Sequence, residues 1–389
     1  MTKKWSSRLT FFAFVVLMVG LGSNDSLRGI FSTIFQEHFS LTTTQLGLIV
    51  TASYIGNLVF LLVGGNLSTH FSKKRVLQVL ILIWMAALAL FAFTSNYTVL
   101  LIGMALALGS STLLNTTMNL ITPLLFATAP GFFVNFLFFT QEIGTSGSQY
   151  ILGSHADGFA FWQHTNLVLL ILGAVAFVLL LFCNVPEEAA APADAPAQKG
   201  GYDWRIIVPY VLVFGFYFIA EHGVMNWMVA YGVDGLGLPQ ASAAKYLSVF
   251  FGGMMIGRLC LSPLVDKLGA LKSLAAFGGV SCVLYLIGSL GGAVTMPVWA
   301  ISGLSFSILY PTLVMSIRLY FPAQQVSGAA GTILSIASLA DILFNVGFGK
   351  LVDMTGYAVS IRVLPLSALA FFIVFILFTK FCKPTQKLK

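Results

Sequence analysis

The segment Gly20–Phe31 reads GLGSNDSLRGIF and lies inside an apolar stretch over residues 9–36. Such a stretch exceeds the roughly 20 residues that an α-helix needs to cross about 30 Å of hydrocarbon. Inside it stand Asn24, Asp25 and Arg28. Because an ionisable side chain at bilayer depth costs about 2.5–3.5 kcal/mol on insertion scales, it is a functional candidate by default. The segment therefore predicts a transmembrane helix with a polar site near its middle.

The composition of the whole chain predicts a membrane protein. Hydrophobic residues make up 58% of the 389 residues and charged residues only 8%, whereas soluble domains carry about 25% charged residues. The net charge of +7 does not indicate nucleic-acid binding, because the basic residues stand between apolar runs rather than in a stripe. The four cysteines lack metal or disulfide spacing. No catalytic triad, metal cluster or nucleotide motif occurs, so we expect no enzyme activity and no cofactor.

Apolar stretches long enough to span a bilayer recur in two sets of six. Between the sets lies PEEAAAPADAPAQKGGYDW, a Pro/Ala-rich, charged stretch that predicts a flexible linker. We therefore expect an N-terminal bundle over 1–185, a cytoplasmic linker over 186–204 and a C-terminal bundle over 205–389. The predicted spans are 9–36, 43–68, 75–94, 98–127, 131–153, 164–185, 205–232, 243–265, 271–292, 295–320, 325–350 and 360–381.

The positions of lysine and arginine predict the orientation in the membrane. With a cytoplasmic N-terminus, fifteen of the twenty basic residues fall on the cytoplasmic side and three on the outer side, while Arg28 and Arg258 fall within spans. Cytoplasmic loops carry the excess of basic residues in membrane proteins. We therefore expect a multi-pass protein of the plasma membrane with both termini in the cytoplasm.

The two halves of the chain resemble each other. GGNLSTHFSKKR after the second span matches LSPLVDKLGALK after the eighth, and GSHADG after the fifth matches GKLVDMTG after the eleventh, at offsets of 197 and 196 residues. The same offset places Glu221 opposite Asp25. A duplicated bundle predicts a substrate site near the midplane, at the interface of the halves. The predicted fold class is thus an all-α membrane protein with twelve helices in two pseudo-symmetric six-helix bundles.

The loop after the second span resembles the signature loop of the major facilitator superfamily, Gly-x-Leu-x-Asp-Arg-x-Gly-Arg-Lys. In the first copy Thr69, His70 and Ser72 replace the Asp, Arg and Gly of that pattern. The second copy keeps more of it. In the family this loop helps to latch the two halves, and the resemblance implies a latch here. The expected latch residues are Arg75, Arg258, Asp266 and Lys267.

A narrower resemblance links the first two spans to the fucose–proton symporter branch of that superfamily. The branch has an Asn-Asp-x-Leu turn, then Phe-x-Leu-Thr-x-x-Gln-x-Gly-Leu-Ile, then Tyr-x-Gly, and AEHGVMNWMVAYG in the seventh span is similar to its Glu-x-x-x-x-x-Trp-x-x-x-Tyr. The resemblance implies that Asp25 takes part in proton-coupled sugar binding. One departure is Thr112, which stands where the branch has a fourth-span Glu. The matching residues of the first two spans are Asn24, Asp25, Leu27, Phe39, Leu41, Thr42, Gln45, Gly47, Leu48, Ile49, Tyr54 and Gly56.

Four acidic residues lie inside predicted spans, and we expect them to couple transport to protons: Asp25, Glu142, Glu221 and Asp341. A carboxyl group in a partly dry cavity has its neutral form favoured, so its proton affinity can respond to opening and closing of the cavity. Since Thr112 cannot carry a proton, either Glu142 takes part in coupling or coupling depends on Asp25 and Glu221.

Arg28 stands three residues after Asp25 and therefore shares its helix face. Three interpretations are open. Arg28 could release and recapture Asp25 during transport, or it could bind an anionic substrate, because a guanidinium suits carboxylate or phosphate. It could also form a fixed ion pair that only permits membrane insertion.

Further polar and aromatic residues within the spans are candidate substrate contacts. Asn115 and Asn119 share a helix face, where interhelical hydrogen bonding is an equally good interpretation. Trp227 and Tyr231 could stack on a sugar ring or form an interfacial aromatic belt. Gln141 matches a sugar-contacting Gln of the branch. The expected substrate-binding residues are Asn24, Arg28, Tyr54, Asn57, Asn115, Asn119, Gln141, His222, Asn226, Trp227 and Asn345.

Together these observations favour a secondary active transporter with alternating access, taking up a sugar or a similar small polar solute with a proton. The expected partners are the solute, a proton (or sodium) as coupling ion, and the lipid bilayer; no nucleic acid is expected, and the protein is expected to be a monomer. Alternatives are an organic-anion carrier that uses Arg28, a drug exporter, and a membrane sensor built on a transporter fold.

Overall fold

The protein is described here from a computed structural model, which covers residues 3–126, 130–183, 185–186 and 202–384. Side chains are described throughout these ranges except at 3–6, 63–70, 120, 123, 130–132, 135, 266, 323, 324 and 327. The described residues contain helices and no β-strand. Most of the predicted linker, residues 187–201, lies outside the described residues.

The described residues form seven α-helices in the first half of the chain and nine in the second. Eleven helical segments among the described residues are long and apolar enough to cross a membrane. The remaining predicted span, 131–153, is occupied by the 22-residue helix α6. The helices are α1 Lys3–Ile30, α2 Ser32–His38, α3 Thr43–His70, α4 Lys73–Phe93, α5 Tyr97–Leu125, α6 Pro130–Ile151, α7 Phe159–Leu181, α8 Trp204–Ala230, α9 Gln240–Leu268, α10 Ala270–Leu290, α11 Met296–Ile301, α12 Gly303–Phe306, α13 Leu309–Ser316, α14 Ala323–Thr355, α15 Tyr357–Ser360 and α16 Val363–Phe381.

The predicted tenth span, 295–320, is present as the membrane-length apolar segment Met296–Leu319, but its helix is divided into three short helices, α11 to α13. The hydroxyl of Ser302 donates to the carbonyl of Trp299, and that of Ser305 donates to the carbonyl of Ser302. Ser307 bonds back to Leu304 in the same way. Such bonds from serine side chains to preceding carbonyls compete with regular helical hydrogen bonding, which explains the interruptions.

Packing divides the chain into two compact units. The first comprises Met1–Leu41 and Leu48–Gln198, and the second comprises Thr42–Gly47 and Lys199–Lys389. In the second unit, α8 packs most extensively against α14 and α16. Its buried face carries Tyr217, whose ring stacks on Phe306 at 5.0 Å between centroids.

The start of α3 belongs to the second unit and is capped there by an acidic side chain. The carboxylate of Asp353 on α14 accepts hydrogen bonds from the backbone N–H groups of Thr43 at 2.8 Å and Thr44 at 2.7 Å. Gln45 and Thr42 cap the same helix start reciprocally, since the side chain of each accepts from the backbone N–H of the other. The free N–H groups of the first turn are thereby satisfied.

Glycines bring α1 and α6 into close contact in the first unit. A Cβ atom on Gly22 would lie 2.0 Å from the carbonyl oxygen of Gln141, and one on Gly144 would lie 2.1 Å from the carbonyl oxygen of Val19. The hydroxyl of Ser23 donates to the carbonyl of Gly144 at 3.3 Å. Small residues permit this close approach of backbones in membrane helices. We call this contact the α1–α6 seam.

We expect Gly144→Ala to lower the free energy of unfolding by about 1–3 kcal/mol, because the added methyl group has to displace the backbone of α1. The matched control is Gly147→Ala on the same helix, where a Cβ atom would meet nothing within 4 Å. There the exchange should be neutral or stabilising by up to about 1 kcal/mol. The apparent melting temperatures of both variants in detergent check this expectation. Equal melting temperatures would show that the seam tolerates a side chain.

Candidate functional site

Asp25 on α1 is half-buried and is held by uncharged donors. The side-chain amide of Asn24 donates to Oδ1 of Asp25 at 3.2 Å, and the hydroxyl of Ser111 on α5 donates to Oδ2 at 3.2 Å. Ser111 is almost fully buried. Both carboxylate oxygens therefore have a neutral hydrogen-bond partner within the first unit.

Arg28 lies beyond Asp25 on α1 and is also buried, with 5% of its surface exposed. Its guanidinium carbon lies 5.6 Å from the centroid of the Tyr54 ring on α3, which is cation–π geometry. The Arg28 charge acts on Asp25 electrostatically. The Nε atom of Arg28 is buried and has no hydrogen-bond partner among the residues that the structure describes.

Three side-chain amides form a continuous hydrogen-bonded chain on α5 and α6. Asn119 donates to Oδ1 of Asn115 at 2.6 Å, and Asn115 donates to Oε1 of Gln141 at 2.6 Å. We call these residues the amide chain. The bond from Asn115 to Gln141 joins α5 to α6, so Asn115 makes an interhelical hydrogen bond. Within the described part of the chain, Oδ1 of Asn119 and Oδ1 of Asn57 on α3 are buried without a partner, so acceptors remain for a ligand.

The first unit thus brings together most of its predicted site residues. Asn24, Asp25 and Arg28 lie on one helix, and Ser111 connects them to α5, one turn from Asn115. Glu142 is half-buried on α6, next to Gln141 in the sequence. Arg75 is exposed near the start of α4.

Glu221 on α8 lies within a cluster of tyrosines in the second unit. Only 9% of Glu221 is exposed, and it lies within electrostatic range of the hydroxyls of Tyr217, Tyr285 and Tyr310. Arg258 on α9 acts electrostatically on Tyr217 and Tyr310. The structure therefore places Arg258 beside these tyrosines.

The rest of the expected latch is less closely defined. The side chain of Asp266 lies outside the described residues, and Lys267 is exposed at the end of α9. A contact between Arg258 and Asp266 therefore stays a prediction.

A second network joins α8 to α14 next to the Glu221 cluster. His222 Nδ1 lies 2.7 Å from Oδ2 of Asp341, which is only 2% exposed. The side-chain amide of Asn345 donates to the backbone carbonyl of Asp341 at 2.8 Å, and the indole N–H of Trp227 donates to Oδ1 of Asn345 at 2.9 Å. Trp227 is fully buried, as is nearly all of Asn226. Four predicted residues from two helices are thus connected.

Three residues with structural roles were not among the predicted site residues. Ser111 holds Asp25, and Asp353 caps α3. The side chain of Lys74 donates to the carbonyls of Leu181 at 3.0 Å and Cys183 at 2.8 Å, at the end of α7. Asp353 had a signal in the sequence, since it stands in the second of the two repeated loops. Ser111 had no such signal beyond its place next to Thr112. Lys74 had none beyond its place in the basic loop after the second span.

Comparison with known proteins agrees with this architecture. Residues 10–340 match the sequence model of the Major Facilitator Superfamily. The chain is 24% identical over 333 residues to the L-fucose-proton symporter of Escherichia coli, covering 74% of this chain and 75% of that protein. It is 27% identical over 344 residues to a glucose/galactose transporter of Brucella abortus, covering 82% of this chain and 81% of the relative.

A solved structure with a similar fold is the xylose transporter of E. coli in an inward open conformation. The two folds superpose with a TM-score of 0.77 at 14% sequence identity, over 97% of this chain and 96% of the other. The predicted fold class is confirmed, as is the resemblance drawn from the signature loop and the first two spans. Because the family match extends over most of its length, this chain belongs to the Major Facilitator Superfamily, whose members are membrane transporters and not enzymes.

Proposed function

We propose that this transporter takes up a sugar or a similar small polar solute together with a proton, by alternating access across the plasma membrane. Relatives named as a fucose–proton symporter and a glucose/galactose transporter support this proposal. The observation that carries it is Asp25, a carboxyl group inside a span that is held by the neutral donors Asn24 and Ser111.

The partners of Asp25 suit a group that gains and loses a proton. The hydroxyl of Ser111 donates to the charged carboxylate, and because a hydroxyl can also accept, it can receive a hydrogen bond from the protonated carboxyl. The amide N–H of Asn24 donates in either state. Protonation of Oδ2 therefore keeps the hydrogen bond between Oδ2 and Ser111, with its direction reversed. Burial alone would favour one state, whereas this arrangement accommodates both.

The same donors favour a proton over sodium as the coupling ion. A hard metal cation is bound by oxygen ligands at its own coordination distances. At Asp25, one carboxylate oxygen accepts from an N–H group and the other from an O–H group, and the hydrogen atoms of these donors would repel a cation. A proton needs only one oxygen of the same carboxylate.

The other acids complete the proposed coupling machinery. Thr112 offers no carboxyl where the fucose–proton symporter branch has one, so Glu142 on the neighbouring α6 and Glu221 in the second unit are the proposed partners of Asp25. Asp341 is proposed as a further member, because it is deeply buried and bonded to the ionisable side chain of His222.

We expect Asp25→Asn to abolish accumulation driven by a pH gradient, because the amide keeps hydrogen bonding but cannot bind the coupling proton. Exchange of labelled for unlabelled solute should continue, since exchange needs no net proton movement. Uptake and counterflow in proteoliposomes, with a solute selected by thermal-shift screening of sugars and organic acids, measure the two activities.

The matched control is Asp157→Asn, which neutralises an exposed acid between α6 and α7 and should accumulate solute like the wild type. If Asp25→Asn also accumulates solute as the wild type does, proton coupling at Asp25 is wrong.

We expect His222→Phe to lower the free energy of unfolding by about 3–5 kcal/mol, because it leaves the carboxylate of Asp341 buried without its partner. Adding Asp341→Asn to His222→Phe should recover most of that loss, since the buried group is then neutral. Melting temperatures in detergent measure both effects.

His164→Phe is the control, because His164 is exposed on α7. A melting temperature for His222→Phe equal to that of His164→Phe would contradict a stabilising role for the His222–Asp341 pair.

A further inference from the structure

We propose that the solute is a small hydroxylated carboxylic acid, such as a sugar acid, whose carboxylate binds Arg28 and whose hydroxyls bind the amide chain. This inference rests on the proposed transport function and names its substrate class. It concerns residues of the first unit alone.

The first step of the inference is the state of Arg28. A guanidinium stays charged at any physiological pH and presents five N–H donors. At 5% exposure it has lost most of its water, and leaving a buried charged donor unsatisfied costs free energy. Tyr54 covers one face of the group, but its ring offers no acceptor to the Nε–H bond at the guanidinium edge.

The second step is that a fixed ion pair with Asp25 does not fully account for the buried guanidinium of Arg28. In such a pair the carboxylate of Asp25 would accept the N–H groups of Arg28. Instead, its two oxygens accept from Asn24 and Ser111, and Nε of Arg28 has no partner among the described residues. The charge of Asp25 therefore stabilises Arg28 without accepting a hydrogen bond from its Nε.

The third step is the chemistry that would fill this edge. Two adjacent N–H groups of a guanidinium match the two oxygens of a carboxylate in a bidentate pair, which is among the stronger hydrogen-bonded contacts in proteins. A neutral sugar hydroxyl accepts only one such bond and adds no opposite charge. The positive charge of Arg28 and its unfilled Nε–H donor therefore favour an anionic solute over a neutral one.

The fourth step is the location of the amide chain. Gln141 contacts α1 at Gly22 in the α1–α6 seam, and Arg28 lies six residues further along α1, which is about 9 Å along the helix axis. The same helix α5 supplies Ser111 to Asp25 and, one turn further along, Asn115 to Gln141, so we infer that one solute contacts both groups. Amides donate and accept, as hydroxyl groups require, and Oδ1 of Asn119 has an unfilled acceptor position within the described residues.

Asp25 lies between the two ends of this site and connects solute binding to proton binding. A negative charge on Asp25 competes with the solute carboxylate for the positive charge of Arg28, because the residues share one helix face. A neutral Asp25 leaves that charge to the solute. Proton and anion binding therefore favour each other, and such coupling is reciprocal by thermodynamic necessity.

Calorimetric titration of purified wild-type protein in detergent tests the inference with matched pairs of probes: D-glucuronate with D-glucose, D-galacturonate with D-galactose, and propionate as an acid without hydroxyls. We expect at least one sugar acid to bind more tightly than its neutral parent and than propionate. Equal or tighter binding of the neutral sugars, binding of propionate as tight as that of the sugar acids, or no binding of any acid at millimolar concentration would overturn the inference.

Variants locate the carboxylate site. Arg28→Gln should raise the Kd of the sugar acid about 10- to 100-fold, and Arg28→Lys should lie between it and the wild type. Asp25→Asn should bind the acid at least as tightly as the wild type, because it removes the competing charge. Arg8→Gln is the matched control, since it makes the same exchange at an exposed position of α1 and should leave the Kd unchanged.

A second variant keeps the test valid if Arg28→Gln does not fold. If Arg28→Gln elutes as an aggregate, the double variant Asp25→Asn/Arg28→Gln, which buries no charge at either position, replaces it and should bind the acid as weakly. An unchanged Kd for Arg28→Gln would overturn the inference.

The inference and the transport proposal can fail separately. If a neutral sugar accumulates with protons, the inference fails and the transport proposal stands. If Arg28-dependent acid binding occurs without gradient-driven uptake, the inference stands and the transport proposal fails.

Discussion

Hydrocarbon offers no hydrogen-bond partner to a polar group, so each polar side chain within a span has to be satisfied by the protein or by what the protein carries. This constraint organises both units. In the first, Asn24 and Ser111 satisfy Asp25, and the amide chain satisfies most of its own members. In the second, His222 bonds to Oδ2 of Asp341, whose Oδ1 is buried without a partner among the described residues. The exceptions then become informative, and Arg28 is the clearest of them.

The two units surround their carboxyl groups with different side chains. The first places uncharged donors around a carboxyl group, whereas the second surrounds Glu221 with tyrosine hydroxyls and pairs Asp341 with a histidine. The repeat in the sequence predicts equivalent positions for Asp25 and Glu221, and the structure gives the two acids different surroundings.

Much of this architecture could be predicted from the sequence. A spanning helix needs about 20 apolar residues because of the thickness of the bilayer, and this requirement depends little on tertiary contacts. Helical spacing likewise placed Asp25 with Arg28, and Asp341 with Asn345. The interruption of the tenth span could not be predicted, since serine bonds back to the chain only in some backbone contexts. Ser111 was missed because a lone serine in an apolar helix has no distinguishing pattern. The contact between Arg28 and Tyr54 depends on which helices are neighbours, and spacing within one helix does not contain that information.

The α1–α6 seam has a consequence for selectivity. With the carbonyl of Gln141 against Gly22 and that of Val19 against Gly144, neither helix has room to shift toward the other. The charged groups of α1 and the side-chain amide of Gln141 are thus held at a separation set by backbone atoms. For the solute proposed above, this fixed backbone spacing predicts selection by stereochemistry, because inverting one stereocentre turns its oxygen away from a partner whose helix cannot shift to follow it.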